Sequence, residues 1–184
     1  MTIDNIRIPQ IPIAPAQCSL LEELRKHNEG MFKHSQRVAA LMYWYADTNG
    51  LPSETYYKVG LLHDVGKVCV PNTILDKPGK LTEEEREIIN THSECGYIML
   101  KSLDPICAEA ARHHHDNIET LANSNPLIYT LQLIDIFDAL CSERPYRGPV
   151  PVHDTVTFLE RKLDDAHVSN PRPDILHVLG GVSY

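Results

Sequence analysis

Residues 126–141, PLIYTLQLIDIFDALC, constrain the fold more than any other stretch. Leu127, Ile128, Leu131, Leu133, Ile134, Ile136, Phe137, Ala139 and Leu140 cover nearly the whole circumference of a helix there. A helix that is apolar all round has to be enclosed by other elements. Yet Asp135 and Asp138 sit inside it, three residues apart on one side. Unpaired carboxylates in such a place cost on the order of 2–5 kcal/mol even after relaxation. Ligation of a metal ion compensates them most directly; a cap or an arginine partner for each is the alternative.

The rest of the chain reads as helices too. Ser19 can cap a first helix over 20–28, and a second spans 31–47, closed by Asn49-Gly50. Ser53 opens a third over 54–65, with Gly66 at its end. Residues 68–81 hold two prolines and a Pro-Gly pair and read as a loop. Thr82 and Glu85 form a capping box for a long helix to about Leu103. Asp104-Pro105 opens another to about His115, followed by a polar loop over 116–125. Weaker helices are expected at 152–166 and 173–179. No strand pair or repeat is visible, so the expected class is all-α: a proline-rich arm over 1–18, then one helical domain over 19–184.

Against that frame the histidines stand out. The chain has 10 of them, and several fall on faces the helices should bury. His63-Asp64 follows Leu61-Leu62, with Lys67 four residues after the histidine and on the same side. His92 lies mid-helix between Ile88-Ile89 and Gly96, and His34 sits beside Val38. His113-His114-His115 stands at a helix end, where the backbone can turn and let two rings converge. Taken singly, each could be a satisfied core or solvated histidine. Together they supply imidazole nitrogens and carboxylate oxygens without thiolate. That mixture suits iron, manganese, nickel or zinc in an open, reactive geometry. Seven ligands are too many for one ion and about right for two that share a carboxylate.

Composition narrows the partners. A net charge of −8 disfavours nucleic-acid polymers and anionic lipid, although bound cations can reverse the local field for a phosphate substrate. No stretch reaches the roughly 18 apolar residues of a membrane span, and the N-terminus lacks a signal-peptide core. The five cysteines are scattered and lack a CxxC pair. They read as small buried hydrophobes in a reducing, cytoplasmic compartment rather than as a disulfide framework.

The segments HDVGKVCVPNTILDKPGKLTEEE, THSECGYIML, HHHD and DIFDALCSERPYR occur in this order between His34 and Arg147. They resemble the HD-GYP branch of the HD phosphohydrolase superfamily. The resemblance implies an all-helical HD bundle that holds two, sometimes three, divalent ions and hydrolyses cyclic di-GMP to pGpG or GMP. Carried over by motif, one ion is held by His34, His63, Asp64 and Asp135. The other is held by Asp64, His92, His114 and His115, so that Asp64 bridges. Lys67 contacts the substrate phosphate, and Arg144 and Arg147 hold the other phosphate or a guanine. Iron or manganese is expected, with nickel, zinc or magnesium as alternatives.

The sequence departs from the branch in places. Its His-His-Glu is followed by a DGxGYP loop, whereas His114-His115-Asp116 here is followed by Asn117-Ile118-Glu119-Thr120. That loop bears on substrate cover and partner recognition. Some members recruit a third ion with a glutamate one turn before the first histidine; Gly30 takes that place here, which favours two ions. The expected chemistry is attack on phosphorus by a metal-bridging hydroxide, with Lys67 neutralising charge on the non-bridging oxygens. Asp138 is a candidate to orient one of the metal ligands. Alternatives are another cyclic dinucleotide or nucleotide as substrate, or a catalytically silent metal-binding regulator that docks a signalling protein.

Overall fold

The computed structural model describes residues 6, 8–143, 147–168 and 173–183. Helices α1 (Pro15–His27) and α2 (Glu29–Thr48) are separated by Asn28. Asn28 caps α2 by accepting a hydrogen bond from the Met31 backbone N–H at 3.0 Å. Helix α3 (Ser53–Leu62) packs antiparallel to α2, reached through Gly50 at φ 65°, a conformation glycine adopts without strain. A short 3₁₀ helix (Val65–Cys69) and α4 (Asn72–Leu75) lead to α5 (Glu83–Leu100). Helix α6 (Pro105–His113) folds back on α5, α7 (Ile118–Ser124) follows, and α8 (Pro126–Cys141) runs through the centre. Helices α9 (Val152–Asp165) and α10 (Pro173–Gly180) complete the all-α bundle. Among the described residues the only extended pairing is an isolated bridge residue at each of Arg147 and Ser183.

Helix α8 forms the axis that its composition demands. Leu131, Leu133, Ile134 and Phe137 are fully buried, packed with Leu41, Met42 and Tyr45 of α2 and Leu62 of α3 in one continuous core. Helix starts follow the expected chemistry. Glu85 N–H donates to Thr82 Oγ1 while Thr82 N–H donates to Glu85 Oε2, closing the capping box. Asp104 and Asn125 cap α6 and α8, each followed by proline at the first helical position.

Several expected boundaries are corrected. Helix α1 begins at Pro15, inside the expected arm, with Ala14 rather than Ser19 before it. Gln17 supplies the signal: its side chain accepts from the Ala14 backbone N–H at 3.1 Å. Helix α3 ends at Leu62, not near Val65, and the chain tightens into the 3₁₀ helix. The expected loop over 68–81 contains α4. The polar stretch after His115 contains α7, capped by Asn117 and tied to α8 where Gln132 Nε2 donates to the Asp116 carbonyl.

The cysteine reading is also corrected. Cys69 at the end of the 3₁₀ helix and Cys95 on α5 form a disulfide, and neither is buried. Cys107 and Cys141 are buried as expected, whereas Cys18 is exposed. Cysteine usage therefore does not argue for a reducing compartment. No helix among the described residues is long and apolar enough to cross a membrane.

Candidate metal centre

Six elements deliver the centre. His34 comes from α2, His63 from the exit of α3, and Asp64 from the residue that opens the 3₁₀ helix. His92 comes from α5, His114 and His115 from the exit of α6, and Asp135 from α8. All seven expected ligands converge. The ligand atoms of His34, His63 and Asp135 lie within 4.8 Å of one another, as do those of His92, His114 and His115. His63, Asp64 and His114 form a third set under the same limit, which joins the other two.

The orientation of the imidazoles is set by their outer nitrogens. His34 Nδ1 lies 2.7 Å from Asp138 Oδ2, His63 Nδ1 2.8 Å from the Gly60 carbonyl, and His92 Nδ1 2.6 Å from the Ile89 carbonyl. His114 Nδ1 lies 2.9 Å from the Ala111 carbonyl. Oxygens of this kind only accept, so each Nδ1 is the donor. In the neutral ring each Nε2 is then a bare lone pair, and all four point inward. His92 Nε2 and His114 Nε2 face each other at 3.3 Å, a repulsive contact between two lone pairs unless a cation or proton lies between them. His63 Nε2 and Asp64 Oδ1 are buried and have no hydrogen-bond partner. Asp64 reaches both histidine pairs. Its Oδ2 is 3.5 Å from His63 Nε2 and 3.8 Å from His34 Nε2, and its Oδ1 is 3.3 Å from His92 Nε2. The donor set therefore fits two divalent cations that share one carboxylate.

Sequence reasoning placed Asp138 near a metal ligand but missed what holds it. Asp138 is fully buried and accepts a forked pair from Arg37, Nε at 2.8 Å and Nη2 at 2.9 Å, besides its bond to His34. Ser142 Oγ donates to the same carboxylate at 3.2 Å. Burial opposes the charge on Asp138, but His34 and Arg37 outweigh it and hold the carboxyl well below its usual range. An arginine one turn after His34 on α2 was the available signal.

Burial likewise disfavours a charged His34, yet Asp135 and Asp138 overcome it and raise the group to about 9. His114 moves the other way: burial, with His115 and His63 nearby, pushes it well below its ordinary value. Burial works against ionised Asp64 too, but Lys67, His63 and His92 keep its carboxyl low. In the metal-free protein at neutral pH, His34 therefore carries a proton that any cation must expel. Metal uptake at pH 7.5 is expected to release about one proton from this site, and affinity to climb with pH until His34 has titrated near 9. Calorimetry in buffers of different ionisation enthalpy measures the release; uptake without proton release would count against this assignment. The linkage to folding has the opposite sense. With its pKa raised from 6.5 to about 9, His34 stabilises the metal-free fold fully below pH 6.5 and stops doing so as pH rises through 9.

A cleft of about 680 Å³ opens beside these residues. His34, Asp64, His115 and Asp135 line one end. Lys67 stands next to them, Nζ 3.6 Å from Asp64 Oδ2. Lys77, Lys80, Arg86 and Arg147 line the remaining walls together with Ile74, Leu81 and Ile89. A chain of net charge −8 thus gathers five basic side chains around one cleft. Lys77 is already engaged, its Nζ 2.6 Å from Glu85 Oε2, and so pins the 76–81 segment to α5. Arg147 donates to the carbonyls of Ala139, Leu140 and Gly148, which ties the end of α8 to the following segment. Its guanidinium is thus committed to backbone groups while its side chain lines the cleft. Arg144 lies outside the described residues.

The family model of the HD domain matches residues 31–142. A cyclic di-GMP phosphodiesterase of Pseudomonas aeruginosa is 33% identical over 141 residues, covering 69% of this chain and 34% of the relative. A 3'3'-cGAMP-specific phosphodiesterase of Vibrio cholerae is 36% identical over 119 residues, covering 59% of this chain and 26% of the relative. The chain thus spans between about a quarter and two fifths of the length of the curated relatives it matches. Among solved structures, the HD domain of the phosphodiesterase PgpH from L. monocytogenes, in complex with cyclic-di-AMP, superposes with a TM-score of 0.69. It shares 20% identity over 88% of this chain and 93% of that chain, a likeness of fold.

Proposed function

Since this chain belongs to the HD-domain family, we propose that it is a metal-dependent phosphodiesterase that hydrolyses cyclic di-GMP to pGpG or GMP. The observation that carries the reading is the set of four inward-facing histidine Nε2 atoms gathered with Asp64 and Asp135 in a basic cleft. His34, His63, Asp64 and Asp135 would hold one divalent ion, and Asp64, His92, His114 and His115 the other. Iron or manganese is favoured over nickel, zinc or magnesium. When bound, such a pair supplies a water acidified to near neutrality and an electrostatic clamp on the phosphate.

The chain's own residues do the rest. Asp138, braced by Arg37, fixes the His34 ring and its tautomer, so the lone pair is aimed before substrate arrives. Lys67 places its ammonium where charge grows on the non-bridging phosphate oxygens. Arg86 and Lys80, which line the cleft, would receive the second phosphate or a base. A volume of about 680 Å³ suits a ligand of dinucleotide size. Lys67→Ala is expected to lower kcat roughly 100-fold with metal content unchanged. Parallel metal analysis and steady-state kinetics check this, and loss of both together would remove Lys67 from the chemistry.

The α7 helix where the related branch carries its GYP loop, and the cGAMP specificity of one relative, favour a second reading: the same chemistry on another cyclic dinucleotide. Purified protein loaded with manganese or iron, offered cyclic di-GMP, cyclic GMP-AMP and cyclic di-AMP in parallel, separates the two by the products formed. Cyclic di-GMP turnover supports the first. An inert cyclic di-GMP beside a hydrolysed alternative selects the second. Bound metal with no turnover of any would make the protein a silent regulator of a signalling partner. A cyclic dinucleotide substrate would place the domain on the cytoplasmic side.

A further inference from the structure

We propose that Cys69 and Cys95 form a thiol–disulfide exchange site whose redox state sets how firmly the neighbouring metal position holds its ion. Cys69 is exposed and Cys95 partly so, which gives a small thiol access to the bond from the Cys69 side. Cys69 ends the 3₁₀ helix that Asp64 opens and that carries Lys67. Cys95 lies on α5 one turn beyond His92. The bond therefore crosslinks the element that begins at the bridging carboxylate to the helix bearing a ligand of the second position. The two elements are already pressed together there. The Gly66 backbone lies directly on the His92–Gly96 turn, with no room for a side chain between them. The crosslink closes a contact that the backbone makes anyway, so the reduced form keeps the packing but loses the tether.

The step balances with a monothiol of the glutathione class. Its thiolate attacks Cys69 Sγ, forms a mixed disulfide and expels the Cys95 thiolate. A second thiolate attacks the sulfur of the bound thiol, expels the Cys69 thiolate and leaves with its partner as a disulfide. Two electrons pass from the two small thiols to the protein pair. In the reverse sequence the Cys69 thiolate attacks the oxidised small disulfide and expels one small thiolate, and the Cys95 thiolate then attacks Cys69 Sγ and expels the other, which restores the crosslink.

The effect on metal retention rests on the metal-centre reading above; the exchange itself does not. The test uses the full chain, equilibrated in glutathione buffers from reducing to oxidising, quenched with acid, alkylated in denaturant and weighed by mass spectrometry. All five thiols should label under reduction, and only Cys18, Cys107 and Cys141 under oxidation, with one cooperative transition between. In parallel, manganese-loaded protein is challenged with excess chelator. The oxidised form should lose its more labile ion about five-fold more slowly than the reduced form, the lower end of ordinary coupling between sites. Cys69→Ala/Cys95→Ala protein should lose it at the reduced rate in both buffers. Five labelled thiols across the range, or equal metal loss in both states, would overturn the proposal. Should no manganese bind in either state, the metal reading is what fails, and the exchange site stands or falls on the thiol count.

Discussion

Asp64→Ala is expected to leave the protein with one ion or none, and phosphodiesterase activity at least ~100-fold down, beyond the usual range for groups outside the ligand set. Among the described residues, Asp64 alone reaches His34 and His63 on one side and His92 and His114 on the other. Its loss therefore weakens both positions. Stability should fall as well. Without metal, the buried Asp64 carboxylate is held ionised by Lys67, His63 and His92, so removing it leaves a buried lysine and histidines without their counter-charge. The metal-free variant should melt below the metal-free parent at neutral pH. Metal analysis and thermal melts on both proteins, with and without manganese, check the two halves. A variant that keeps the parent's metal content would show that Asp64 is not shared.

Gly66→Ala should unfold the site from the other direction. A Cβ there falls inside contact distance of the His92 carbonyl and 2.5 Å from the Gly96 nitrogen. Both are backbone atoms of α5, with no flexible side chain to yield. We expect a loss of roughly 3 kcal/mol or more, at the upper end of overpacking effects. Metal binding should weaken with it, since the 3₁₀ helix that follows Asp64 has to lift from α5. Gly148→Ala is the control: nothing lies within 4 Å of a Cβ there, and its cost should stay within about 0.5 kcal/mol. Denaturant melts of the two variants give the comparison. Equal stabilities would mean the 3₁₀ helix does not need its close seat on α5.

Much of this was legible beforehand, for physical reasons. A helix as apolar as 126–141 has nowhere to go but the middle, and acids inside it need partners, so Asp135 and Asp138 announced a polar site within the core. Local capping chemistry placed the starts of α5, α6 and α8, because Thr82, Asp104 and Asn125 act within three residues of themselves. What failed depended on long-range packing or on weak local signals. Helix α7 has only Ile118 and Leu121 buried, too little periodicity to stand out in a polar stretch. The Cys69–Cys95 bond joins residues 26 apart, and nothing in that spacing says that a 3₁₀ helix will lie on α5. Arg37 and Asp138 meet across 101 residues, so the brace behind His34 emerges only when α2 and α8 pack. The basic walls of the cleft were half seen: Lys67 was expected, whereas Lys77, Lys80 and Arg86 fell in stretches read only for their turns and caps.

The central claim is that buried imidazoles and carboxylates meet in this bundle because two cations compensate them. Metal analysis of anaerobically reconstituted protein, freed of loosely held ions on a desalting column, tests it most directly. The account predicts two equivalents of iron or manganese per chain, falling to one or fewer in Asp64→Ala. A chain that emerges free of metal after reconstitution, or whose metal content ignores that substitution, would contradict it.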